Sequence, residues 1–233
     1  MQFTVEPGIF EAFPAMRIVV AIAKGVDNTA TYPVVQSQWQ AAWDGAREAS
    51  RYGNSQSHPH VRPWRDALQQ LGVSGKKFPS SIEALLRRAM KGGPPFSINP
   101  LVDFYNAVSL RHVVPAGGFD ISDLRDVLTL RFTRSGDTFQ ALDEDSPSAV
   151  PPGEVAYATD STVLTRHFVW RQARTALIRR ETRDIVLVSE ILGALPQTIV
   201  DSIEAEFRQG VESTFQVDCE TYCIDAEHLT VSW

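Results

Sequence analysis

Apolar positions keep a helical spacing through most of the first half of this chain and alternate with polar ones through most of the second. Ile18 to Ile22, short, apolar and β-branched, predicts a buried strand. From Pro33 to about Tyr52, Val35, Trp39, Ala42, Trp43, Ala46 and Ala49 predict a helix, and a shorter one follows from Trp64 to Leu71. Ser80 and Glu83 form a capping box ahead of Ile82, Leu85, Leu86, Ala89 and Met90, and Gly92-Gly93-Pro94-Pro95 stops that helix. Asn99 caps the next, Pro100 takes its first position, and Leu101, Tyr105 and Val108 give it a core-facing side. Pro115 ends it, and Gly117-Gly118 predicts a turn or a close backbone approach.

Val127 to Thr133 then alternates and runs into a hairpin-like turn at Ser135-Gly136-Asp137. Glu154 to Thr159, Val163 to Arg171, Thr175 to Arg179 and Asp184 to Ser189 continue the strand pattern. One amphipathic helix, from about Pro196 to Arg208, interrupts it and stops near Gly210; Glu220 to Ile224 and Leu229 to Trp233 predict a closing hairpin. Helices segregated from a mostly antiparallel sheet define an α+β fold. With no repeat or low-complexity linker, one domain is expected over 1–233, helix-rich to about 120 and strand-rich from about 121.

The 233 residues are 43% hydrophobic, enough for a full core, and contain no apolar run long enough to cross a bilayer. The start, with Glu6 and Glu11 and no basic stretch, does not read as a secretory signal. Cys219 and Cys223, four apart, are too distant along a strand for a disulfide, and His228 alone does not complete a metal site. Reduced cysteines and a cytoplasmic location are expected, with no cofactor. A net charge of -6 argues against coating nucleic acid with the whole surface. The basic residues cluster all the same. Lys76, Lys77, Arg87, Arg88 and Lys91 form one group, and Arg166, Arg171, Arg174, Arg179, Arg180 and Arg183 another. Each is either a solvated face or a polyanion contact.

The chemistry-bearing residues fall into two segments. On the Asn99 helix, Asp103, Asn106 and Ser109 succeed one another three apart and make a neighbouring polar row, either a site lining or an exposed face. In Val163 to Arg171, strand alternation puts Arg166, Phe168 and Trp170 on one face and His167, Val169 and Arg171 on the other. Arginine offers planar contacts to carboxylate or phosphate and the aromatic rings offer stacking, unless Trp170 is core and the arginines pair locally. His58-x-His60 reads as a solvated loop and Glu181 to Asp184 as a charged turn. Phosphate-loop, nucleophile-elbow and zinc-helix signatures do not occur.

Asn99 to Leu110 (NPLVDFYNAVSL), followed by Pro115 to Asp120 (PAGGFD), resembles the B3/B4 editing domain of the phenylalanyl-tRNA synthetase beta subunit, and more closely the free-standing B3/B4 proteins. Pro152 to Tyr157 (PGEVAY), Arg166 to Gln172 (RHFVWRQ), Thr175, Thr182 and the strand Ile185 to Glu190 continue the pattern in order. The resemblance implies tRNA as partner, with its aminoacylated 3′ end and the amino-acid moiety bound, and hydrolysis of mischarged esters in trans without any charging of tRNA. It implies a substrate-binding set of Asn106, Ser109, Gly117, Gly118, Arg166 and Arg171, and a catalytic set of Glu190, Thr182 and His167. Glu190 is then the group for amine recognition or water positioning, and Arg166 and Arg171 face the ester or terminal phosphate. One position departs from the synthetase pattern: Gly117 stands where that pattern has a histidine. The alternative is a non-catalytic module that binds RNA or an amino-acid-like ligand.

Overall fold

A computed structural model describes residues Met1–Trp233. The chain opens with β1 (Gln2–Val5), α1 (Pro7–Ala12), β2 (Arg17–Ala23), α2 (Pro33–Gly45), α3 (Arg62–Gln70), α4 (Ser81–Met90) and α5 (Pro100–His112). The strand-rich part holds β3 (Ala116–Asp120), β4 (Val127–Phe132), β5 (Thr138–Phe139), β6 (Ser148–Ala149), β7 (Val155–Thr159), β8 (Thr162–Val163), β9 (Thr165–Arg166), β10 (Arg171–Gln172) and β11 (Ile185–Ile191). It ends with α6 (Gln197–Phe215), β12 (Cys219–Ile224) and β13 (Thr230–Ser232). The fold is α+β.

Two sheets organise the molecule: a four-stranded one, β12-β2-β11-β3, and a seven-stranded one, β13-β1-β4-β7-β8-β5-β6. Every pairing is antiparallel except β1 with β4 and β5 with β8. The alternation of β2 and β11 sets the layers. Val19, Ala21, Ala23, Ile185, Leu187 and Ile191 meet α5 and α6 on one face of the four-stranded sheet. Ile18, Val20, Ile22, Val186 and Val188 meet Phe3, Leu128, Leu130, Val155 and Tyr157 of the other sheet on the opposite face. Strand β11 is buried throughout and β2 from Ile18 on, because each face is covered. A third cluster joins Trp39 and Trp43 of α2 to Ile82 and Leu86 of α4 and to Ala107 and Leu110 of α5. No helix is long and apolar enough to cross a membrane.

Several boundaries differ from the expectation, each for a visible reason. The helix from Pro33 is α only to Gly45 and continues as tighter 3₁₀ turns over Ala46–Tyr52. Helix α5 ends at His112, before Pro115, where Val113 adopts a left-handed cap. The Gly117-Gly118 pair is not a turn but the middle of β3. Its glycine character serves a close approach, since a Cβ on Gly118 would lie 2.8 Å from Leu187 Cδ2. Helix α6 runs through Gly210, whose missing side chain admits the ring of Phe104; a Cβ there would sit 2.6 Å from Phe104 Cζ. The segments Cys219–Ile224 and Thr230–Ser232 do not form a hairpin, because β12 pairs with β2 and β13 with β1, in different sheets. The His58-x-His60 loop is only partly solvated: Pro59 is exposed and His60 half-buried, but His58 is buried against Tyr52 and His60.

Candidate functional site

Helix α5 is fixed at both ends by side chains that sequence spacing alone could assign to a site. Asn99 Oδ1 accepts the Val102 N–H at 3.0 Å, and its Nδ2 donates to the Ile178 carbonyl at 3.1 Å, tying the helix start to the segment before Thr182. Asp103 accepts from the Ser97 hydroxyl and from Ile98 N–H, so it holds the entry loop. Ser109 donates to Val114 O at 2.6 Å and closes the exit. Of the row Asp103, Asn106, Ser109, only Asn106 is left half-buried with a free amide on the surface of a hollow.

The expected strand Val163 to Arg171 is broken. His167 and Phe168 both have left-handed backbones, φ 46° and 63°, and turn the chain so that β10 folds back on β9, Arg171 beside Arg166. The face assignment by alternation therefore fails. Thr175 to Arg179 is likewise not a strand but a turn containing left-handed Ala176. The turn at 167–170 is held from outside: Ser81 N–H donates to Val169 O at 2.7 Å, and the Phe78 ring lies 4.0 Å from that of His167 and 4.7 Å from that of Trp170.

This turn stands between two adjoining hollows, the larger of which is also walled by α5. The outer one, about 480 Å³, has walls that include Asn106, Ser109, Phe96, Arg88, Trp170 and Arg171. The inner one, about 90 Å³, is lined by Gly117, Phe119, Tyr157, Phe168, Val188 and Glu190, among others. Ser81, Ala116, Trp170, Arg171 and Gln172 stand in both walls. Asn106 and Arg171, 65 residues apart in sequence, thus share one cleft. Gln172 Nε2 donates to Gly118 O at 2.9 Å and fixes β10 against β3 at the junction.

Glu190 follows Val188 on β11, on the face turned toward the seven-stranded sheet, and only 3% of it is exposed. Its Oε1 accepts the Tyr157 hydroxyl at 2.6 Å. Burial raises the Glu190 carboxyl to about 7, a rise the Tyr157 hydrogen bond partly offsets. Burial, then the neighbouring carboxylate, pushes the Tyr157 phenol well above its usual value, so the phenol is the donor in this pair. Gly117 leaves open space: nothing lies within 4 Å of where its Cβ would be. Arg171 reaches Asp143 at the rim, and Arg88 stacks 3.9 Å over the Phe96 ring.

The remaining predicted site residues are elsewhere. Thr182 is buried; its hydroxyl donates to Asp120 Oδ2 at 2.5 Å and accepts from Arg179 N–H at 2.9 Å, a turn-forming role outside both hollows. Arg166 is committed to Glu154 through two bonds of 2.6 and 2.7 Å. His167 lies beneath Phe78 with Nδ1 3.4 Å from Glu154 Oε2 and without a hydrogen bond. Burial lowers its pKa, with Glu154 opposing and Arg166 adding to that effect. Neither Arg166 nor His167 lines the cleft. Sequence reasoning missed Tyr157 and Gln172. Tyr157 was legible in principle, since a tyrosine inside a buried strand needs a partner for its hydroxyl. No group of three or more His, Cys, Asp or Glu side chains is arranged to hold a metal ion.

A family model described as the B3/4 domain matches residues 63–227, from α3 into the loop after β12. This chain belongs to the B3/4 domain family. The match contains every residue of the cleft, whereas β1, α1, β2 and α2 of this B3/4 protein lie outside it. Among solved structures, it is similar to an N-terminal fragment of the phenylalanyl-tRNA synthetase beta-subunit from Pyrococcus horikoshii. The identity is 9%, the TM-score 0.43, and the alignment covers 93% of this chain and 49% of the fragment. The B3/4 chain thus spans about half the length of that fragment. A comparison with curated proteins finds no match.

Proposed function

We propose that this B3/4 protein binds the aminoacylated 3′ end of tRNA and hydrolyses the ester of a mischarged amino acid. The observation that carries the reading is the adjacency, across shared wall residues, of an arginine-lined outer hollow and an inner one with a buried carboxyl at its wall. In this reading the terminal nucleotide lies in the outer hollow against Trp170 and Phe96, with Arg88 and Arg171 toward its phosphates. The amino-acid head enters the inner cavity. A carboxyl near 7 is partly ionised at neutral pH and able to accept a proton there. Glu190 takes a proton from water as the water oxygen bonds to the ester carbonyl carbon, and that proton passes to the departing ribose oxygen.

The test is a deacylation assay over a panel of misacylated tRNAs with protein in excess. Amino acid should be released faster than by uncatalysed hydrolysis, and Glu190→Gln should slow release on the order of a hundredfold without loss of fold. No acceleration with any ester overturns hydrolysis. A second reading, a non-catalytic binder of RNA or of an amino-acid-like ligand, is favoured by one observation: Tyr157 already occupies Glu190 Oε1. It predicts that Glu190→Gln and Arg171→Ala alter affinity alone.

A further inference from the structure

The inner hollow is small and open on one side, and its far wall is built of packed aromatic rings. An engineered protein cavity of about 150 Å³ takes one benzene ring; this one measures about 90 Å³. Tyr157 is held in a cage of rings, with Phe119 at 5.1 Å, Phe3 at 5.8 Å and Phe168 at 6.0 Å between centroids, so its phenol cannot swing aside without repacking that core. Two of those rings, Phe119 and Phe168, line the cavity beside it. The space that remains lies over Gly117. Gly117 is paired with Val188 and shares a sheet face with it, which places the missing Cβ on the same side as Glu190.

We propose that Tyr157 is the specificity-determining residue of this cleft: its phenol takes the place beside Glu190 that an aromatic substrate ring would need, and only a short side chain, of alanine or serine size, fits over Gly117. This rests on reading the cleft as a site for an aminoacyl head, but not on hydrolysis. An aromatic side chain finds the place beside the carboxyl already filled by the phenol, and a small hydroxyl reaches that one carboxyl of the wall from over Gly117.

Equilibrium binding of L-alaninamide, L-serinamide and L-tyrosinamide to the whole chain tests it, the amide standing for the ester. The wild type should bind alaninamide and serinamide and reject tyrosinamide. Gly117→Val, which fills the space over the strand, should abolish serinamide binding and so locate it. Tyr157→Ala should admit tyrosinamide at least about tenfold more tightly than the wild type does. Tyr157→Phe, which keeps the ring and frees the carboxyl, should still reject it. Should Tyr157→Ala not fold, the wild-type ranking and the Gly117→Val and Tyr157→Phe results decide. Tyrosinamide binding the wild type as tightly as serinamide, with both lost in Gly117→Val, overturns the size rule and leaves the aminoacyl site standing. Binding of none of the amides by any of the proteins overturns both.

Discussion

Glu190 holds its carboxyl at about 7 against an ordinary 4.5 because it is buried, and that displacement has a stability consequence. The native state binds the proton more tightly than the unfolded chain does, so stability falls as pH rises from 4.5 to about 7 and stays reduced above it. The full cost is on the order of 3 kcal/mol. Glu190→Gln keeps a carbonyl for the Tyr157 hydroxyl and removes the titration. Its melting temperature should therefore gain on the wild type as pH rises from about 4.5 to 7 and hold that gain beyond; a difference independent of pH contradicts the assignment. Gly118→Ala is a second residue-scale case. Its Cβ would press on Leu187 in a closed layer, and a loss of about 1–3 kcal/mol in denaturant unfolding is expected. Gly117→Ala, with open space at the same atom, should cost far less. At this scale the sequence disclosed that the glycine pair mattered, but not which glycine serves packing and which serves the cavity. That difference depends on the partner strand β11, which sequence spacing does not reveal.

Among the elements, α5 was the most legible, because cap, proline and apolar spacing are all local signals. The same locality limits what its polar row offers a ligand: Asp103 and Ser109 serve the helix's own ends, and Asn106 alone keeps its amide free. Asn99→Ala should cost about 1–2 kcal/mol, at the high end for a cap, because the amide also holds Ile178 and hence the outer hollow. Chemical denaturation measures it, and a loss of only a few tenths would show that the link to Ile178 carries no energy. The segment from Val163 to Arg171 misled for the opposite reason. Its composition is strand-like, but two successive left-handed residues break it, held by Phe78 in the loop before α4 and by Ser81 at the start of that helix. The terminal strands erred similarly, as β12 and β13 are drawn to separate sheets by β2 and β1.

Over the whole molecule, the helix-then-strand order and α+β class were readable from periodicity, whereas the three-layer arrangement was not. Sheet order is set by long-range pairing between β2, β11 and β12, invisible to local patterns. The cleft was legible as a convergence of α5 with the arginine segment, and Asn106, Ser109, Arg171, both glycines and Glu190 do line it. Arg166, His167 and Thr182 do not, since each is consumed by neighbours that only folding supplies. Charge follows the same division: a chain of net -6 places Arg88 and Arg171 at the cleft mouth. Reversing both to glutamate should weaken tRNA binding and flatten its salt dependence by about two phosphate contacts. An unchanged slope would move the RNA surface elsewhere.

If this cleft reads the charged end of tRNA, as proposed, its affinity must depend on what the 3′ end carries. The most direct measurement compares the affinity of the protein, at one salt concentration, for three forms of one tRNA. These carry a hydrolysis-resistant 3′ seryl amide, a free 3′ hydroxyl, or no terminal nucleotide. The seryl form should bind about tenfold more tightly than the free form, and the truncated form weakest. Equal affinity for all three would contradict it.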